Sequence, residues 1–253
     1  MRTWNLFHGN TVPPGRRAYL REMVELVTAD RPDVVCLQEV PAWALGRLGG
    51  WAGMTEAPAH ARRASLGVMP IPARFGRILT SPHYGMIRSA FHGQGIAILA
   101  APALRVITRA AMRVNPNAGR AEPRVAQRVE LELADGRRAV VANVHCTNNA
   151  ARAEPELERT LAWAESAAGD DLLVVAGDFN TTPEASPALR GLTGYSPPLA
   201  GRIDQVLVRG ATAAARIWPD EERAYGSRLL SDHAPIEARI ELARYDARAG
   251  EGS

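Results

Sequence analysis

Lysine is missing from this chain: all 30 of its basic residues are arginine. The planar guanidinium matches phosphate oxygens in a two-pronged geometry that an ammonium group cannot copy. Acidic residues are missing from one long stretch, with no Asp or Glu between Glu56 and Glu122. That stretch carries Arg62, Arg63, Arg74, Arg77, Arg88, Arg105, Arg109, Arg113 and Arg120. Either it forms a face for a polyanion or it reflects an arginine-rich composition, and the sequence leaves both open. Cysteine is scarce, with only Cys36 and Cys146, each inside an apolar run. A disulfide framework is thereby excluded, and two buried core thiols are expected. No run approaches the roughly 20 apolar residues of a membrane-spanning helix. The opening "MRTWNLFHGN" lacks the apolar segment of a secretory signal, so a cytoplasmic location is expected.

What is present describes a globular protein: 253 residues, 46% hydrophobic, with a net charge of +3. A chain of this length can fill one core, and one domain over residues 1–243 with a polar tail at 244–253 is expected. Apolar residues from Tyr19 to Val27 recur at helical spacing, which predicts a helix reaching Asp30 before Pro32. A second helix is predicted from Glu154 to Ala168. Strands are predicted at "RTWNLF", "DVVCLQEV", "GIAILA", "ALRVITRAAMRV", "RVAQRVELELA", "RRAVVANVHC", "DLLVVAGDFN", "IDQVLVRG" and "APIEARIELA". Asp135-Gly136 marks a hairpin between two of them. Residues 41–92 show no period and are read as loops with a short helix or two, long enough to suggest a binding role. Strands outnumbering helices, in mixed order, point to two stacked sheets with helices outside.

Polar residues recur at the ends of these buried strands. Asn5 interrupts the first, Gln38-Glu39 close the second, and Asn143 and His145 sit in another. Asp178 and Asn180 end a further strand, Asp204 begins one, and Asp232-His233 precede the last. Each alone has an ordinary explanation as a turn, a cap or a hydrogen-bonded core residue. As a set they would converge at one sheet rim, where carboxylates repel unless a cation or a proton sits among them. Carboxylate and amide oxygens without a usable thiolate suit Mg²⁺ or Mn²⁺ better than Zn²⁺.

In order, "TWNLFHGN", "DVVCLQEV", "GQGIAILA", "VVANVHC", "VVAGDFNTTP", "RIDQVLV" and "SDHAPIEARI" resemble the signature strands of the endonuclease/exonuclease/phosphatase superfamily. That superfamily includes deoxyribonuclease I, exonuclease III, abasic-site endonucleases, neutral sphingomyelinases and inositol polyphosphate 5-phosphatases. The resemblance implies a four-layer α/β sandwich, two mixed sheets flanked by helices. It also implies a Mg²⁺-dependent (or Mn²⁺-dependent) phosphohydrolase. Glu39, Asn5 and Asp232 resemble residues at the metal, and Asp178 and Asn180 the pair that orients the attacking water and holds the phosphate. His145 resembles a phosphate contact, with Asn143 beside it as a further substrate-binding candidate, and His233 the histidine at the phosphorus, oriented by Asp204. Phe7 and Gly201 stand where some branches carry an acid and a tryptophan, which disfavours the abasic-site subclass. The substrate expected is a phosphate ester, nucleic acid foremost. Small phosphate esters or lipid headgroups come second, an inactive binding scaffold is remote, and the expected state is a monomer. Trp51 and Tyr84 are read as packing residues, and His8, His60, His83 and His92 as solvated loop histidines.

Overall fold

A computed structural model describes residues 1–66, 69–80, 93–116 and 122–242. The polar tail and Arg88, Arg120, Tyr84, His83 and His92 therefore lie outside the described residues.

Two large sheets face one another, with helices on their outer faces. The first has six strands in the order Thr212–Ile217, Ile236–Glu241, Arg2–Asn5, Val34–Pro41, Gln94–Ala100, Thr55–Arg62. The second has five, in the order Asp204–Arg209, Leu172–Asp178, Arg138–His145, Val125–Glu132, Arg105–Arg113. Both are mixed: Arg2–Asn5 runs parallel to Val34–Pro41, and Arg138–His145 runs parallel to Leu172–Asp178, amid antiparallel neighbours. Between the sheets, Cys36, Ile98, Val129, Val141, Val174 and Val208 form the central core. Helix Leu20–Thr28 covers the outside of the first sheet through Leu20, Met23, Val24 and Val27. Helix Ala150–Ala168 covers the second through Ala153, Leu157, Leu161 and Ala164. This is the four-layer order expected from alternating burial on each sheet face. Both cysteines are buried free thiols.

Two strands of these large sheets escape a reading by periodicity. Thr55–Arg62 is "TEAPAHAR" and Thr212–Ile217 is "TAAARI", both rich in alanine and poor in β-branched residues. Both lie at sheet edges, where a Pro such as Pro58 needs no second ladder partner. Helix Ala150–Ala168 starts four residues earlier than predicted, because the Asn149 side chain caps the Arg152 N–H and the helix tolerates Pro155 inside.

Strand Leu172–Asp178 presses closely on its parallel neighbour at Gly177, whose φ is +140°. A Cβ there would fall well inside contact distance of the Val144 carbonyl. Gly177→Ala is therefore expected to cost roughly 3 kcal/mol or more, read as a lowered urea midpoint. An unchanged midpoint would mean that the two strands have room to separate.

Candidate active site at the sheet rim

Register brings the polar strand ends together. In the second sheet His145 pairs with Asp178 and Asp178 with Asp204, so the three stand side by side on adjacent strands. In the first sheet Asn5 is level with Gln38, and Glu39 follows in an irregular step between Leu37 and Val40. That step gives Glu39 a left-handed backbone, with φ +50°. Phe7, His8, Asn180 and Ser231 also have positive φ, and all lie at this rim. Non-glycine residues rarely adopt such angles, and they gather where a chain must aim a side chain.

Asp178 is the centre of the constellation and is almost fully buried. Its Oδ2 accepts the Asn5 amide at 2.9 Å and its Oδ1 accepts the Asn180 backbone N–H at 3.0 Å. Burial, and then the negative Asp204, raise its pKa above the usual carboxylate range. The Asn180 side chain is fixed by donating to the Cys146 carbonyl at 2.8 Å. His233 Nδ1 lies 2.7 Å from Asp204 Oδ2, and its Nε2 is 3.9 Å from Asp178 Oδ2. Burial alone would favour neutral His233. The Asp204 hydrogen bond and the charges of Asp204, Asp178 and Asp232 outweigh it and push the ring up to about 9.

His145 has the opposite balance. Its Nε2 stands 3.7 Å from both Asp178 Oδ2 and Glu39 Oε1, bridging the two sheets. Burial first, then the cations of Arg124, His8 and His233, hold its pKa well below the ordinary value. The rim thus pairs a histidine that stays charged at neutral pH with one that stays neutral.

Asn143 is not at this surface. It is fully buried between the sheets, where its Oδ1 accepts the Gln38 amide at 2.7 Å. Its Nδ2 donates to the carbonyls of Leu37 and Ala97. With both ends engaged it ties the sheets together and cannot reach a substrate. Asn5 likewise meets Asp178 as a donor, while its Oδ1 accepts the Phe7 N–H at 3.0 Å. Asp232 is exposed, 3.5 Å from the Ser231 hydroxyl.

Three residues of the rim were not foreseen. His8, expected in solvent, is buried with Nε2 3.1 Å from Glu39 Oε2. Arg124 is buried with Nη1 2.8 Å from His145 Nδ1. Ser231 donates its hydroxyl to the Asn5 carbonyl at 2.7 Å and accepts the His233 N–H at 3.1 Å, fixing one strand end to the other. The Ser-Asp-His order was a usable signal for Ser231, since a serine there can bond the backbone two residues on. His60 is exposed, on the edge strand two strands away from Glu39.

The donor chemistry admits a divalent cation. Asp178, Asp204 and His233 bring polar atoms all within 4.8 Å of one another, and of these the two carboxylates can take a cation while His233 keeps its proton. Among the described residues Asp204 Oδ1 is buried with no hydrogen-bond partner, which is costly for a carboxylate unless a cation meets it. Glu39 brings a further carboxylate from the other sheet.

The sequence pattern that defines the Endonuclease/Exonuclease/phosphatase family matches residues 3–233. The chain belongs to this family. Membership makes it a phosphoric ester hydrolase. Solved structures share the fold across nearly the whole chain. A humanised Danio rerio TDP2 is 16% identical with a TM-score of 0.69, covering 95% of this chain and 97% of its own. A mannosyl-6-phosphatase from Bacteroides thetaiotaomicron is 14% identical with a TM-score of 0.65, covering 95% and 98%. A family protein from Bacteroides vulgatus is 16% identical with a TM-score of 0.68, covering 96% and 98%. No curated protein matches closely enough to add a named relative. Among the described residues no helix is long and apolar enough to cross a membrane.

Proposed function

We propose that this family member is a Mg²⁺- or Mn²⁺-dependent phosphodiesterase that cleaves nucleic acid by attack of water. The observation that carries the nucleic-acid reading is where the acid-free stretch ends up. Arg113 pairs with Val125, which places it level with His145, Asp178 and Asp204 on the outermost strand of the second sheet. Three strand spacings separate it from Asp178, roughly 14 Å. Arg62 pairs with Gln94, itself level with Pro41, so it ends the outermost strand of the first sheet at the same rim. Arg63 follows, exposed. The outer edges of both sheets therefore deliver arginines to one flank of the site, as a polyanion extending beyond its scissile phosphate requires. Not all of the stretch does this: Arg105 is at the far end of its strand, paired with Glu132.

Asp178, Asp204 and Glu39 would hold the ion, with Asn5 orienting Asp178 and Asp232 at the outer margin. When bound, such an ion polarises a phosphoryl oxygen and offsets charge that develops in the transition state. Asp178, held by Asn5 and Asn180, is placed to orient the attacking water. Protonated His233, fixed by Asp204, donates to the phosphoryl group. Neutral His145 and the buried Arg124 complete the wall facing it.

Arg62→Ser with Arg113→Ser tests the polyanion reading. The double variant is expected to lose affinity for DNA and to reduce the slope of log affinity against log salt by about two. Turnover of bis(p-nitrophenyl) phosphate, too short to reach either arginine, should stay unchanged. An unaltered salt slope on DNA would point instead to a small phosphate ester as substrate.

A further inference from the structure

Beside the start of helix Leu20–Thr28 lies a cavity of about 490 Å³ that shares no residue with the rim. Its wall includes Arg17, Arg21, Arg47 and Arg77, together with Trp43 and Trp51. Glu22 is there too, but it is taken by Arg17 at 2.6 Å. Arg21 pairs with Glu25 at 2.7 Å. Arg47 is exposed and forms no ion pair among the described residues.

The two indoles differ in what they offer. Arg77 lies over the Trp43 ring, 4.5 Å from its centroid, so that face is already covered. Trp43 is nine-tenths buried, and its Nε1–H has no acceptor among the described residues. A buried donor without an acceptor is costly, and a ligand oxygen entering the cavity would relieve it. Trp51 is half-buried, packing partly against the core while it lines the cavity.

Leu20, Gly9 and His8 connect the cavity to the rim. Leu20, also in its wall, packs so tightly on Gly9 that a Cβ there would overlap it, and the next residue back, His8, is bonded to Glu39. Trp43 itself follows the strand that carries Glu39.

We propose that this cavity is a subsite for a nucleotide flanking the scissile phosphodiester, its phosphate held by Arg47 and the Trp43 N–H and its base stacked on Trp51. A cationic wall with an aromatic platform suits a ligand that is anionic at one end and flat at the other. The origin of that ligand rests on the nucleic-acid reading above. Trp51, read from the sequence as packing alone, thereby has a second role.

Binding of a 5′-phosphorylated thymidine hexanucleotide, followed by calorimetry in EDTA, tests this without turnover. Arg47→Ala is expected to weaken binding at least about tenfold, the loss typical of one charge-assisted contact. Trp51→Leu should weaken it several-fold. Both variants should hydrolyse bis(p-nitrophenyl) phosphate with Mn²⁺ as the unmodified protein does, which also shows that they are folded. If the unmodified protein binds the hexanucleotide and both variants bind it equally well, the subsite is overturned while the nucleic-acid reading stands. If the unmodified protein neither binds the hexanucleotide nor cleaves DNA, both fall together.

Discussion

Asp178→Asn is expected to leave a folded protein whose phosphodiesterase activity is at least about 10³-fold lower. The substitution changes charge and almost nothing else. Asp178 sits nearly fully buried between Asn5 and Asn180, and an amide fills the same volume. One of its two acceptor positions becomes a donor, which costs about one hydrogen bond because the Asn5 oxygen stays with the Phe7 N–H. What is lost is the negative oxygen that lies 3.7 Å from His145 Nε2 and 3.9 Å from His233 Nε2. General acid–base and positioning groups of this kind each contribute about 10²–10⁴-fold, and Asp178 belongs to several contacts at once. Circular dichroism and an unfolding midpoint close to the original would show that the loss is chemical. A folded variant that kept most of its activity would remove Asp178 from the centre of the site.

Chelation should have an effect of similar size. Three carboxylates converge from two sheets, and one carboxylate oxygen, Asp204 Oδ1, is buried without a hydrogen-bond partner among the described residues. Such a cluster is stabilised by a cation that binds the folded chain and not the unfolded one. Prolonged EDTA treatment is therefore expected to abolish hydrolysis, and added Mn²⁺ or Mg²⁺ to restore it. A thermal scan gives a readout independent of turnover. At about a hundredfold excess over the dissociation constant, the ion should raise the unfolding midpoint by roughly 5–10 °C. The same ion should raise it much less in Asp178→Asn. An identical midpoint with and without metal, together with full activity in EDTA, would mean that the carboxylates are held by protons alone.

Much of this was legible in the sequence, for definite reasons. The rim strands are apolar runs bounded by a polar residue, so both the strand and its chemical terminus show in one dimension, as in "VVAGDFN" and "VVCLQEV". The edge strands do not show, because Thr55–Arg62 and Thr212–Ile217 are alanine-rich and half-exposed, and are held by pairing with a stronger neighbour. Asn143 was misplaced for a related reason. Strand alternation puts it on the same face as His145, but only the stacking of the second sheet on the first decides that its amide is sealed inside. His8 and Arg124 were missed because each follows or precedes a strand in irregular backbone. His8 is aimed at Glu39 by left-handed angles at Phe7 and His8 that no side-chain pattern announces. The basic flank was visible as a composition but not as a place. Arg62 and Arg113 are far apart in the chain, and only the pairing of two edge strands brings both to one rim.

Nicking of supercoiled plasmid tests the whole reading most directly, with Mg²⁺ or Mn²⁺ beside an EDTA control and the Asp178→Asn variant. Metal-dependent conversion to the relaxed form, absent from both controls, is the expected result. Plasmid that stays supercoiled with either metal, in a preparation that hydrolyses a small phosphate ester, would contradict it.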